Sequence, residues 1–159
     1  MVIHSGPFAG DGRKEMDRVQ LACSSFKEGF SCSQAVLSAF SDRFDLDKKT
    51  SLRISQPFGG GIAHRGEICG AVSGAFLVIG LRFGRTEAED IQAREKTYET
   101  VREFIKRFEK LQGSIICREL LGKDLSTEEG LKLAEEEKLF ETLCPKYVQN
   151  AVEILQDLI

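Results

Sequence analysis

Five cysteines are the residues of this chain best suited to chemistry, because a thiolate is both a nucleophile and a soft metal ligand. Successive members of a set of four lie 37, 48 and 27 residues apart. These four are Cys32, Cys69, Cys117 and Cys144. No CxxC pair is present, so a zinc ribbon, a zinc knuckle and a thioredoxin-type motif are excluded.

Each of these four cysteines falls in the first turn of a predicted helix. Ser31 is a good N-cap immediately before Cys32, and Pro145, which is favoured at a first helical position, follows Cys144. Unpaired N–H groups and the positive end of the helix dipole favour a thiolate there, so we expect lowered cysteine pKa values and one shared site at one end of a bundle. Cys23 falls in mid-helix and is predicted to be apolar filler outside that site.

A glycine-rich stretch leads to the second of these cysteines. The turn Phe58-Gly59-Gly60-Gly61 precedes Cys69, and Gly70 and Gly74 then leave one strip of the following helix nearly bare. Such a strip admits a neighbouring helix or a ligand, and helix packing is the commoner use. The glycines predicted to approach a bound group are Gly59, Gly60, Gly61, Gly70 and Gly74. The turn lacks the Lys-Ser/Thr of a phosphate-binding loop.

The elements that must position these residues are helices. Apolar residues at spacings of three and four predict one all-α bundle of about five to seven helices, without a linker or an internal repeat. The predicted helices cover residues 13–27, 31–44, a segment around 52, 69–83, 86–112, 114–122, 127–139 and 144–159. Residues 1–12 are predicted to be a flexible tail, and residues 13–159 one domain.

Charge and hydropathy restrict the partners. A net charge of -3 without a basic stripe argues against nucleic acid. The longest uncharged run, residues 68–81, has fourteen residues, fewer than the roughly 20 that a membrane-spanning helix needs. Residues 1–12 lack the apolar segment of a secretory signal, so we expect a cytoplasmic protein. No Ser/His/Asp set or paired-carboxylate motif is evident.

The cysteine motifs resemble a known family. They are Cys32-Ser33-Gln34-Ala35-Val36, the Phe58-Gly59-Gly60-Gly61 turn, Cys69-Gly70-Ala71-Val72-Ser73-Gly74, Cys117 before Glu119-Leu120-Leu121-Gly122, and Cys144. They are similar to the bacterial and archaeal redox-active proteins named for a C…CGAxxG…C…C pattern, over nearly the whole chain after the tail. The resemblance implies a redox role for Cys32, Cys69, Cys117 and Cys144, often beside transporter genes. It does not supply a reaction or a redox partner, and Cys23 is outside the pattern.

Several chemistries remain open from the sequence. The same four thiolates suit an iron–sulfur cluster or another thiolate-bound metal, or they cycle between dithiol and disulfide. A non-enzymatic helical module that binds a small ligand or a partner protein, with structural cysteines, is the alternative. His64, Arg65 and Glu67 lie just before Cys69 and are candidates for a proton donor or an anion contact.

Overall fold

Helices make up nearly all the regular structure, so the predicted all-α fold is confirmed. The computed structural model describes residues 17–159, which contain no β-strand. The helices are α1 (Arg18–Lys27), α2 (Cys32–Ser38), α3 (Lys48–Ser55), α4 (Gly59–Ile62), α5 (Gly70–Phe83), α6 (Ile91–Gln112), α7 (Cys117–Leu121), α8 (Glu128–Glu136), α9 (Leu139–Thr142) and α10 (Cys144–Leu158). Short 3₁₀ turns, Ser41–Phe44 and Gln56–Phe58, follow α2 and α3. The predicted tail at residues 1–12 and the predicted start of the first helix at residue 13 lie outside the described residues, and the division into a tail and one domain stays a prediction.

Side-chain caps set where the helices begin and end. Ser31 and Gln34 form a reciprocal capping box at the start of α2. Asp90 accepts a hydrogen bond from the first turn of α6, so this helix begins later than the predicted residue 86. Thr127, the first residue of the predicted range 127–139, caps α8. Gly113 ends α6 in the left-handed conformation, so this helix ends at the predicted residue 112.

The centre of the molecule is formed by α2, α5 and α10. Helix α2 packs more extensively against α5 than any other two helices pack. The core is apolar and includes stacked rings, with the centroids of Phe104 and Phe108 6.0 Å apart. Because α2, α5 and α10 each begin beside a cysteine, the packing that forms the core also places three cysteines.

Two glycines let α2 and α5 approach closely. A Cβ atom built on Gly74 would lie 2.9 Å from the carbonyl oxygen of Ser33 and 3.0 Å from Cβ of Val36. One built on Gly70 would lie 3.2 Å from Cβ of Cys32. A real side chain at either position would push the helices apart, so the bare strip is used for helix packing, as predicted.

Candidate functional site

The four cysteines of the motif line a single cavity of about 590 Å³. Cys69, Cys117 and Cys144 are buried, with 3%, 7% and 5% of their surface exposed, and Cys32 is partly exposed. All four are free thiols. Cys32, Cys117 and Cys144 are the first residues of α2, α7 and α10, and Cys69 is the N-cap of α5. The predicted convergence of four helix starts is therefore present in the fold.

A two-residue antiparallel bridge holds Cys69 and Cys117. Ile68 is paired with Ile116. The N–H of Cys69 donates to the carbonyl of Ile115 at 2.8 Å, and the N–H of Cys117 donates to the carbonyl of Glu67 at 2.6 Å. Successive side chains of extended backbone point to opposite faces, so both cysteines project from the face opposite the two isoleucines. The bridge thus brings together thiols that are 48 residues apart in the sequence.

A left-handed turn precedes this bridge. Residues 60–64 all have positive φ, including the β-branched Ile62 at 65°, a conformation that L-residues other than glycine rarely adopt. The N–H of Glu67 donates to the carbonyl of Gly61 at 2.9 Å and closes the turn. A Cβ on Gly61 would lie 2.7 Å from Cβ of Cys117. The turn therefore packs its backbone directly against a cysteine, which requires glycine at that position.

Cys32 is held by a polar network between α2 and α3. The hydroxyl of Ser33 donates to the carbonyl of Ser55 at 2.8 Å. The amide of Gln34 donates to the carbonyl of Leu52 at 3.0 Å and to the side chain of Gln56 at 2.9 Å. Ser33 is fully buried and Gln34 nearly so. Buried polar groups that are all paired fix one arrangement of their helices, so the start of α2 and its thiol are well positioned.

Cys144 starts α10, whose apolar face is anchored in the core. Pro145 lies in its first turn, where a missing N–H has no cost. One turn later Tyr147 is buried at the cavity wall, and its hydroxyl donates to the carbonyl of Leu120 at 3.0 Å. That hydrogen bond ties α10 to the end of α7 and so connects the helices that begin at Cys144 and Cys117.

The expected lowering of all four cysteine pKa values is wrong for three of them. Burial raises the pKa of Cys69 and of Cys117 to about 12. At Cys69 the N–H groups of Ala71 and Val72 oppose this effect, but the loss of water outweighs them. Cys144 differs, because its interaction with the Cys32 side chain lowers its pKa despite burial, and the same interaction, with burial, raises the pKa of Cys32. The neighbouring thiols reinforce the raised pKa values of Cys32 and Cys117 through like-charge repulsion.

The arrangement of possible metal donors bears on the predicted metal sites. Within residues 17–159, no group of three or more Cys, His, Asp or Glu side chains is arranged to hold a metal ion. The residues as they lie do not fit a preformed single-ion site. The prediction of an iron–sulfur cluster or other thiolate-bound metal remains a prediction for Cys32, Cys69, Cys117 and Cys144.

Only some of the other predicted site residues line the cavity. Gly60 and Gly70 line the cavity, whereas Gly59, Gly61 and Gly74 do not. His64 also lines the cavity. Its ring lies against Gly60, since a Cβ built on Gly60 would lie 2.1 Å from Cδ2 of His64.

The remaining loop residues and the fifth cysteine do not line the cavity. Arg65 is exposed, and Glu67 forms an ion pair with Arg118 at 3.4 Å. Cys23 does not line the cavity. It is partly exposed and packs outside the core, so its predicted role as core filler is wrong.

The remaining wall of the cavity was not predicted from the sequence. It consists of Phe26, Lys27, Gly29, Phe30, Ser31, Leu120, Leu121, Phe140, Glu141, Pro145 and Tyr147. Tyr147 follows Cys144 by three residues and Phe140 precedes it by four, so helical spacing relative to a cysteine was a usable signal for both. The contribution from the end of α1 has no such signal, because it depends on tertiary packing.

Comparison with known proteins agrees with the cysteine geometry. No curated protein and no solved structure gave a significant match. One family model, described as "Putative redox-active protein (C_GCAxxG_C_C)", matches residues 30–158. The match begins just before Cys32 and ends at the last residue of α10, so it contains all four cavity cysteines. The chain belongs to this family of redox-active proteins with the C_GCAxxG_C_C pattern.

Proposed function

We propose that this protein is a dithiol–disulfide redox protein in which Cys32 and Cys144 form the reactive pair. The observation that carries the proposal is that Cys32 and Cys144 line the same cavity and interact through their side chains, which lowers the pKa of Cys144, while burial keeps the pKa values of Cys69 and Cys117 far above neutral. A thiolate, not a thiol, attacks a disulfide. Cys144 is therefore the proposed nucleophile and Cys32 the resolving thiol.

The proposed reaction is a two-electron exchange. Cys144 Sγ attacks one sulfur of a disulfide oxidant, the oxidant's S–S bond breaks, and one thiol leaves with a proton. Cys32 then loses its proton and attacks Cys144 Sγ, which forms the Cys32–Cys144 bond and releases the second thiol. The protein pair is oxidised by two electrons and the oxidant is reduced by two. Cys69 and Cys117, protonated at neutral pH because of their raised pKa values, are proposed to remain thiols in this step.

The remaining functional predictions stay separate from this reaction. A metal role is tested by iron, zinc and sulfide analysis of protein purified without oxygen, and stoichiometric iron would favour a cluster instead of the dithiol. The redox partner, the transporter link and the cytoplasmic location implied at the outset also stay predictions. None of the helices within residues 17–159 is both long and apolar enough to cross a membrane.

Mapping of the first disulfide tests the proposal. The reduced protein is treated without oxygen with the oxidant diamide, quenched with an alkylating reagent and mapped by peptide mass spectrometry. We expect a Cys32–Cys144 disulfide, its loss in Cys32→Ser and Cys144→Ser, and its retention in Cys69→Ser. Cys23→Ser is the matched control, because Cys23 lies outside the cavity. A first disulfide at Cys69–Cys117, or none at all, contradicts the proposal, and the latter favours the non-enzymatic binding module.

A further inference from the structure

Burial shields three of the four cavity thiols, including the proposed nucleophile Cys144, from large disulfides. Cys69, Cys117 and Cys144 each expose 7% of their surface or less. A disulfide in a folded protein is attached to backbone at both sulfurs, so it cannot reach a thiol at a cavity floor unless both backbones enter the cavity. A free small disulfide has no such obstacle. The volume of about 590 Å³ lies within the roughly 300–1,000 Å³ of typical small-molecule sites.

The walls of this cavity are apolar, and two opposite charges lie among the residues that line it. The apolar side chains include Phe26, Phe30, Leu120, Phe140 and Pro145. Lys27 is the last residue of α1, and Glu141 lies on α9 three residues before Cys144. Both charged side chains are exposed, which places them at the mouth. Within residues 17–159, neither forms an ion pair.

We propose that the cavity binds a low-molecular-weight disulfide whose halves carry carboxylate and ammonium groups, that is, an amino-acid or short-peptide disulfide. This inference rests on the proposed dithiol function and names the oxidant of Cys32 and Cys144. Lys27 binds a carboxylate and Glu141 an ammonium group, while the apolar walls contact the carbon and sulfur atoms.

Atoms and electrons balance for this substrate. The Cys144 thiolate attacks one sulfur of the small disulfide, and the first half leaves as a thiolate that takes a proton from water. Cys32 releases its proton and displaces the second half, which leaves as a thiol. One Cys32–Cys144 bond has formed, one small-molecule S–S bond has broken, and two small thiols are produced. Two electrons pass from the protein to the substrate.

The substrate class is tested by oxidising the reduced full-length chain with four disulfide probes and quenching the reaction at set times. The probes are cystine, glutathione disulfide, uncharged 2-hydroxyethyl disulfide and the protein insulin, with diamide as a general oxidant. The readout is the rate at which the Cys32–Cys144 disulfide forms in a single turnover. We expect cystine or glutathione disulfide to react at least about tenfold faster than 2-hydroxyethyl disulfide, a difference that corresponds to one lost charged contact. Insulin should react more slowly than either charged probe, because its disulfides do not enter the cavity.

Charge variants separate recognition from chemistry. Lys27→Gln and Glu141→Gln should each lower, about tenfold, the ratio of the rate with the charged small disulfides to the rate with 2-hydroxyethyl disulfide. The ratio is the readout because the Glu141 carboxylate raises the pKa of Cys144, so its loss changes the rate with every probe. Lys132→Gln is the matched control, because Lys132 is exposed on α8 away from the cavity. Equal rates with insulin and cystine, or charge variants without effect on that ratio, overturn the inference.

Failure of the inference is distinguishable from failure of the proposed function. If diamide forms the Cys32–Cys144 disulfide and no small disulfide does, the substrate class is wrong and the dithiol function stands. If diamide also fails, the dithiol function is wrong and the substrate inference falls with it.

Discussion

Replacement of Gly74 by alanine tests the packing that positions Cys32. The added Cβ would lie 2.9 Å from the Ser33 carbonyl oxygen and 3.0 Å from Cβ of Val36, whereas carbon atoms in contact are ordinarily about 3.5–4.0 Å apart. Because one of these neighbours is backbone of α2, the helix itself must shift. An extra methyl group in a close-packed core costs about 1–3 kcal/mol of unfolding free energy.

Gly80 provides a matched control on the same helix. It is exposed, and a Cβ built on it would meet nothing within 4 Å. Alanine has a helix propensity about 1 kcal/mol more favourable than glycine, so Gly80→Ala should stabilise the protein by about that amount. The same gain applies at Gly74 and partly offsets the strain. Gly74→Ala should therefore be between unchanged and about 2 kcal/mol less stable than the parent.

Urea unfolding of the reduced protein measures both variants. The deciding quantity is the difference between the unfolding free energies of the two variants. We expect Gly80→Ala to be more stable than Gly74→Ala by about 1–3 kcal/mol. The gain in helix propensity is the same in both variants and cancels from this difference. A second readout is the rate of Cys32–Cys144 disulfide formation, which should fall in Gly74→Ala alone. Equal stability of the two variants would refute the argument that α2 and α5 meet at Gly74.

Three further predictions concern the site. The pKa of Cys69 and of Cys117 is about 12 in the folded protein. The unfolded chain releases these two protons from about pH 9, whereas the folded chain keeps them. For each of the two thiols, the unfolding free energy should therefore fall by about 1.4 kcal/mol per pH unit between pH 9 and 12. Urea titrations should show a shallower fall in Cys117→Ala, and an unchanged slope contradicts the burial argument. Cys32→Ala should raise the pKa of Cys144, and Cys32→Ser, which keeps a donor, should raise it less; alkylation of Cys144 against pH measures both, and identical profiles refute the hydrogen bond. Tyr147→Phe should lose about 1 kcal/mol of unfolding free energy without changing which disulfide forms, as thermal unfolding and peptide mapping would show; a different first disulfide would show that Tyr147 also sets the cysteine geometry.

The convergence of the cysteines was accessible from the sequence because it depends on local signals. Ser31 and Pro145 mark helix starts by the chemistry of their own side chains, whatever lies around them. Gly74 marks a close helix contact because only a missing side chain permits one. Such signals can be recognised in a single sequence. They predicted the all-α fold and the position of the four cysteines at helix starts.

The cysteine pKa values and the cavity walls depend on contacts between segments that are far apart in the sequence. Local sequence patterns do not predict such contacts. Burial of Cys69 is set by segments far away in the chain, so its pKa direction was wrong. The bridge between Ile68 and Ile116 joins residues 48 apart with no strand pattern at either side. Three consecutive non-glycine residues, 62–64, adopt positive φ against their intrinsic preference. The hydrogen bond from the Glu67 N–H to the Gly61 carbonyl closes that turn, and Gly61 packs against Cys117 from a distant part of the chain.

The proposed nucleophile is distinguished by its thiol neighbour and not by its helix. Because all four cysteines start helices, the dipole acts on each of them and cannot explain why one differs. Burial is also shared, at 7% exposure or less for Cys69, Cys117 and Cys144. Cys69 even has two backbone N–H donors, yet its pKa is about 12. What distinguishes Cys144 is its interaction with the Cys32 side chain, which lowers its pKa. The helix starts bring the thiols together, and the contact between two of them then assigns the nucleophile.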